Sequence, residues 1–278
     1  MKKVIKDALY FSQHLSDYRF ISSPFRKLPD FIIIGVMKSG TTSLYNYLIQ
    51  HPQIMAAKNK EVHFFDKNFH QGIYWYKSHF PLYSNIKYVT GEGSPYYIFH
   101  PLVAQRIAKT IPQVKLIVVL RNPVNRAFSH YQRNAARGFE NLSFEEAIDQ
   151  EEERLKGERE KILNDERYKS RKHIFYSYLS RGRYVEQIQN WLHYFPQKQF
   201  LFIKSEDLFI NTSEIYSQVL EFLDLPQFKL NTYEVYLTGE YKKSRKDMNS
   251  ETRIRLLEYF EPYNQKLYDF LGDDYNWS

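Results

Sequence analysis

Between Asp30 and Thr42 the chain reads Phe31-Ile32-Ile33-Ile34-Gly35-Val36 and then Met37-Lys38-Ser39-Gly40-Thr41, a β-branched run closed at once by a small, glycine-containing turn. An unbroken apolar run of this length leaves no face for water, so it predicts a strand buried on both sides in a parallel sheet. Thr42 to Gln50 follows with Leu44 and Leu48 on one helical face and stops before His51-Pro52. The unit is strand, loop, helix, and it fixes the fold class more than any other stretch.

Two further runs behave in the same way, at 114–120 and 199–203, each after a helical pattern; ahead of the second, Tyr184, Ile188, Trp191, Leu192 and Phe195 recur at helical spacing. Alternating strands and helices predict a three-layer α/β fold, a central and mostly parallel sheet flanked by helices, with ligands at the carboxyl ends of the strands. Residues 1–29, polar and ending in Pro24 and Pro29, read as an N-terminal arm, and 30–278 as one domain. The charged stretch 143–161, opened by the capping pattern Ser143-x-x-Glu146, reads as a solvated helix. From Ser250 the apolar positions predict two packed helices or one broken at Pro262.

The turn after the first strand is an anion site by construction, because backbone N–H groups at a helix start point outward and the helix dipole favours negative charge. A formal charge of +7 agrees with an anionic partner. The turn is not a Walker loop: there the lysine directly follows the last glycine, whereas Lys38 precedes Gly40 by two positions. The second strand ends in Arg121 rather than a magnesium-holding aspartate, which disfavours a nucleotide kinase. After Arg121, Asn122 suits an N-cap and Pro123 the first helical position, while Arg126, Ser129 and His130 share a helix face.

Two ordered strand-end anion sites bring the chain into line with a known family. Lys38-Ser39-Gly40-Thr41-Thr42 resembles the 5′-phosphosulfate loop of sulfotransferases that use 3′-phosphoadenosine 5′-phosphosulfate (PAPS), and Arg121 with Ser129 resembles their 3′-phosphate site. Lys60-Glu61-Val62-His63-Phe64-Phe65-Asp66, Trp75-Tyr76, Ser94-Pro95-x-Tyr97 and Trp191 to Pro196 extend the similarity to roughly residues 30–275, closest to the heparan sulfate N- and O-sulfotransferase branch. The resemblance implies a P-loop-like fold and PAPS as donor without a metal. It implies that Lys38 meets the bridging oxygen, and that Ser39, Gly40, Thr41 and Thr42 cradle the 5′ end. Arg121 and Ser129, with Lys243 and Arg245 of a basic loop in which Ser244 stands for the usual glycine, are implied to hold the 3′-phosphate.

Sulfuryl transfer needs an in-line nucleophile, a base for its proton and positive charge at the leaving oxygen. The resemblance implies Glu61 as base, and its neighbours Phe64 and Phe65 predict a raised carboxyl pKa. His63 is the alternative base or an acceptor contact. Phe64, Trp75 and Tyr97, with Tyr96, are candidate acceptor contacts. Glu92-Gly93 replaces the Glu-Lys of heparan-type enzymes. The missing lysine, with no cysteine and no secretory or membrane-spanning segment, points to a bacterial, cytoplasmic enzyme acting on a small natural product such as a guanidinium alkaloid. A glycan precursor is the alternative acceptor. A non-catalytic binder of anionic glycan or nucleic acid is the reading from another class; nucleic acid and membrane partners are not expected, and the two ordered phosphate motifs speak for an enzyme.

Overall fold

The computed structural model describes residues 17–236 and 248–277. Five strands form one sheet in the order β2-β3-β1-β4-β5: β1 (Phe31–Gly35), β2 (Ile54–Ala56), β3 (Val89–Glu92), β4 (Lys115–Leu120) and β5 (Phe200–Lys204). Every pairing is parallel. Six helices of the described residues reach eight residues or more: α1 (Thr41–Leu48), α2 (Val103–Thr110), α3 (Pro123–Ala136), α4 (Tyr184–Leu192), α5 (Thr212–Phe222) and α6 (Ser250–Leu271).

The pleat of β1 explains the three layers. Ile32 and Ile34 point into one core with Leu116, Val118 and the apolar faces of α2 and α4; Phe31 and Ile33 point into the opposite core with Ile117, Val119, α1 and α5. Strands of this kind have no exposed face, which is why β1 and β4 are apolar at consecutive positions.

β2 and β3 are the strands the sequence pattern conceals. β2 has three residues, two of them exposed, and β3 is interrupted by Gly91, where a Cβ would lie 2.5 Å from the Phe31 carbonyl oxygen. Close backbone approach to β1 therefore demands glycine at that point and erases the apolar run.

Two other expectations are corrected. The charged stretch folds as three short helices, Phe144–Asp149, Glu151–Leu155 and Glu158–Asn164, and Glu151 and Glu158 are buried. Glu151 accepts from the Leu179 and Ser180 amides, and Glu158 from Tyr168 and Ser170, so these carboxylates brace the neighbouring loop. α6 runs unbroken for 22 residues through Pro262. Pro262 lies on its exposed side, where water can serve the carbonyl it leaves unpaired, while Leu256, Phe260 and Leu267 hold the buried side.

The described part of the N-terminal stretch is pinned to the main body. Arg19 donates to the Ser78 carbonyl at 2.7 Å, Arg26 to the Phe80 carbonyl at 2.7 Å, and Arg26 bridges Leu82 in antiparallel fashion.

Candidate active site

The loop from β1 to α1 is held by its neighbours on three sides. Ser39 Oγ donates to the Val36 carbonyl at 2.6 Å, Ser205 Oγ to the Ser39 carbonyl at 2.8 Å, and Arg121 Nη1 to the Lys38 carbonyl at 2.8 Å. Lys38 (φ +78°) and Gly40 (φ +95°) both take the left-handed region, a backbone pattern that turns N–H groups into a common concavity. No side chain caps α1, so the donors of its first turn are available to a ligand. A Cβ at Gly40 would come within 2.8 Å of the Phe209 ring, so the position requires glycine on two counts. Ser39 is buried with its hydroxyl turned to the backbone; what it offers a ligand is its amide.

At the end of β4, Asn122 Oδ1 accepts from the Val124 and Asn125 amides at 3.0 and 3.1 Å, the N-cap expected from Asn-Pro. α3 then presents Ser129 and Arg133 to the same cavity that Lys38, Thr41, Thr42 and Arg121 line, a space of about 850 Å³. Arg126 and His130, one face with Ser129 in sequence terms, lie fully buried behind it. Lys243 and Arg245 lie outside the described residues.

Glu61 and His63 line the same cavity, and Lys60, next to Glu61, places Nζ 3.5 Å from Thr41 Oγ1. His63 Nε2 lies 3.1 Å from Glu61 Oε2 and His63 Nδ1 lies 2.7 Å from Asp66 Oδ2, making a line of carboxylate, imidazole and buried carboxylate. Lys60 Nζ closes on Glu61 Oε1 at 3.3 Å. For His63, burial opposes charge but is outweighed by the hydrogen bonds to Asp66 and Glu61, and its pKa rises to about 9. For Glu61, burial alone would raise the pKa, as the sequence suggests. The hydrogen bond from His63 and the charge of Lys60 overturn that, and the carboxyl is held at about 2. The expected raised pKa is thus corrected: the aromatic neighbours matter less than the two cations. Asp66 went unassigned in the sequence, although its i,i+3 spacing from His63 was a usable signal.

What holds this segment is Glu92, at the end of β3 and fully buried. It accepts from Val62 N (3.1 Å), Ser94 Oγ (2.7 Å), Tyr76 Oη (2.8 Å) and Tyr97 Oη (3.0 Å). Ser94 Oγ in turn accepts from His63 N at 3.2 Å and Tyr97 Oη from Phe64 N at 2.8 Å. Three successive amides beside Glu61 are therefore gripped by three side chains of 92–97. Burial pushes the Glu92 pKa up against these hydrogen bonds.

This placement alters the expected acceptor contacts. Phe64 and Tyr97 are enclosed in an aromatic core, Phe64 stacked on Tyr76 with ring centroids 4.5 Å apart, and do not line the cavity; half-buried Trp75 lies outside it too. His63 and Tyr96 do line it. Sequence reasoning passed over Lys67, Arg133, Arg137 and Arg181, which also line the cavity. Without the tertiary fold they are ordinary basic residues.

A parallel sheet with a left-handed glycine loop entering a helix, a strand-end arginine and a carboxylate in one cleft is a P-loop-like architecture with an anion-compatible cavity at the carboxyl ends of its strands. The sulfotransferase domain profile matches residues 28–266, and the chain belongs to the sulfotransferase family. It is 30% identical to a membrane-associated sulfotransferase, kil1, of Dictyostelium discoideum, over 90% of this chain and 66% of that protein. It is 29% identical to human heparan sulfate glucosamine 3-O-sulfotransferase 3B1, over 93% of this chain and 67% of that one. The crystal structure of a sulfotransferase from Alicyclobacillus acidocaldarius superposes with a TM-score of 0.71 at 26% identity, covering 90% of this chain and 99% of the other. The chain spans less than a third of a Caenorhabditis elegans bifunctional heparan sulfate N-deacetylase/N-sulfotransferase, 30% of its length. Among the described residues no helix is long and apolar enough to cross a membrane.

Proposed function

We propose that the protein moves the sulfuryl group of PAPS to a hydroxyl or amine of an acceptor, leaving adenosine 3′,5′-bisphosphate. The observation that carries this reading is the convergence of Lys38, Arg121 and Ser129 on the cavity that Glu61 and His63 also line. The residues fit the donor: a left-handed amide concavity with Lys38 suits the 5′-phosphosulfate, and a strand-end guanidinium with a helix hydroxyl suits the 3′-phosphate.

The assignment of the base follows from protonation. His63, with a pKa of about 9 and a carboxylate at each nitrogen, is an imidazolium at neutral pH and has no lone pair to offer. Glu61 is ionised above about pH 2 and orients one oxygen toward His63 and the other toward Lys60. It accepts a hydrogen bond from the acceptor hydroxyl or amine and takes the proton as the new S–O or S–N bond forms and that proton becomes acidic. The sulfur leaves the 5′-phosphate oxygen in the same step, and Lys38 stabilises the charge growing there. Asp66 fixes the imidazolium that steadies Glu61.

The acceptor is proposed to be small. A guanidinium alkaloid sits poorly in a cavity lined by Lys38, Lys67, Arg121, Arg133, Arg137 and Arg181 against Glu61 and Glu206. A glycan is the second reading, favoured by the naming of the human relative. Bacterial origin and cytoplasmic placement belong to the proposal and are tested by localising the protein in its native cell.

Calorimetric titration with adenosine 3′,5′-bisphosphate tests the donor assignment. Metal-independent binding that weakens in Lys38→Ala is the expected result; preference for magnesium-ATP, or no binding, would overturn it.

A further inference from the structure

Among the described residues, Arg181 is the one strongly buried guanidinium in the cavity wall, 4% exposed. Its Nε donates to Ser177 Oγ at 2.7 Å and its Nη2 to the carbonyls of His173 and Ile174 at 3.0 and 2.9 Å. Its plane lies over Tyr96 and Phe99, 4.7 and 5.1 Å from the ring centroids. These contacts fix the group and leave Nη1 facing the Met37 thioether at 3.6 Å, a weak acceptor. Glu151, whose charge it senses, is occupied by the Leu179 and Ser180 amides and makes no ion pair with it. Among the described residues its charge is met only by carbonyl dipoles and aromatic faces, so an anion on a ligand in the cavity would be its first ionic partner.

The cavity lining draws on two groups of elements, and Arg181 touches both. The donor motifs come from the loop before α1, the end of β4 and the first half of α3. Arg181 spans from the donor loop, where Nη1 faces Met37, to the segment beside the far end of α3: Ile174 is its hydrogen-bond partner, Asn134 Nδ2 holds the Phe175 carbonyl at 2.6 Å, and Phe139 packs on Phe175 with centroids 4.5 Å apart. Arg133 joins the same lining. The result is an immobilised cation beside an apolar, aromatic wall.

Resting on the sulfotransferase reading, we propose that Arg181 reads an acidic group on the acceptor, whose apolar body lies against Phe139, Ile174 and Phe175. The acceptor class is therefore a compact hydroxy or amino compound that is also a carboxylic or sulfonic acid. Such a molecule places its anion at Arg181 and its nucleophile toward Glu61, and a neutral or cationic analogue leaves the guanidinium unpaired.

The test compares three probes with one phenol ring and different charge: 3-(4-hydroxyphenyl)propionate, its methyl ester, and tyramine. Each is titrated into the protein saturated with adenosine 3′,5′-bisphosphate. The acid is expected to bind about tenfold or more tighter than the ester, the size of one charge-assisted hydrogen bond, with tyramine weakest. Arg181→Met is expected to abolish the preference while bisphosphate affinity stays within about twofold. Equal binding of acid and ester to the wild type overturns the inference and needs no folded variant. A parallel loss of bisphosphate affinity in Arg181→Met also overturns it, by assigning the residue to the donor. If the wild type itself fails to bind the bisphosphate, it is the sulfotransferase reading that falls.

Discussion

Arg121 donates from Nη1 to the carbonyl oxygen of Lys38 at 2.8 Å, so the arginine assigned to one phosphate of the donor also sets the turn assigned to the other. The loop after β1 and the end of β4 are thus a single mechanical unit, joined across the β1–β4 pair.

Removing either member therefore has unequal effects. Lys38→Ala deletes one charge-assisted contact and is expected to weaken adenosine 3′,5′-bisphosphate by ~1.5–3 kcal/mol, about ten- to hundredfold. Arg121→Ala deletes a contact and the tie to the loop, and is expected to weaken it more than Lys38→Ala does. Calorimetry on both variants checks the order.

Gly40→Ala tests the loop backbone itself. The left-handed φ costs an alanine roughly 1–2 kcal/mol, and its Cβ meets Phe209, so the urea midpoint should fall and the bisphosphate should bind more weakly even though no charge has changed. Unchanged affinity in a folded variant would contradict the amide cradle.

Glu61→Gln keeps the shape of the site and removes the proton acceptor. The expected outcome is a ~10²–10⁴-fold fall in kcat with bisphosphate affinity retained, measured by sulfate transfer and titration on the same preparation.

The His63 pairing carries a pH signature. Its pKa is raised from 6.5 to about 9, so its contribution to stability is complete below pH 6.5 and is lost as pH rises through 9. Glu61 is depressed from 4.5 to about 2, so its contribution is present above pH 4.5 and is lost as pH falls through 2. The gap in melting temperature between wild type and His63→Gln should accordingly be larger at pH 6 than at pH 9.5, and Asp66→Asn should move the alkaline loss to lower pH.

Glu92→Ala would leave Val62 N, Ser94, Tyr76 and Tyr97 without their shared acceptor inside the core. Each buried donor left unsatisfied costs ~1–3 kcal/mol, so the variant is expected to lose more stability in urea unfolding than any single removal of one of these donors, with the segment bearing Glu61 and His63 loosened. Tyr97→Phe, which frees the Phe64 amide, the longer Phe65 contact and one Glu92 contact, should cost ~1–3 kcal/mol.

The sequence by itself determined the central strands, the helix-entry loop and the strand-end arginine, because each is written in neighbouring residues: a run with no polar face, a glycine where φ is positive, an Asn-Pro cap. It concealed β2 and β3, where three or four residues and the close approach at Gly91 leave no pattern to read. It also named Glu61 and His63, but pointed the Glu61 pKa in the wrong direction and left the charge of His63 open. Both protonation states were decided by the tertiary structure, because Asp66, Lys60 and the Glu92 network set field and burial through contacts of a few ångströms. Arg181 belongs to the same category. Its lack of a carboxylate partner among the described residues and its place beside Phe175 exist only once α3, the short helix Arg171–Phe175 and the loop after β1 close around one cavity.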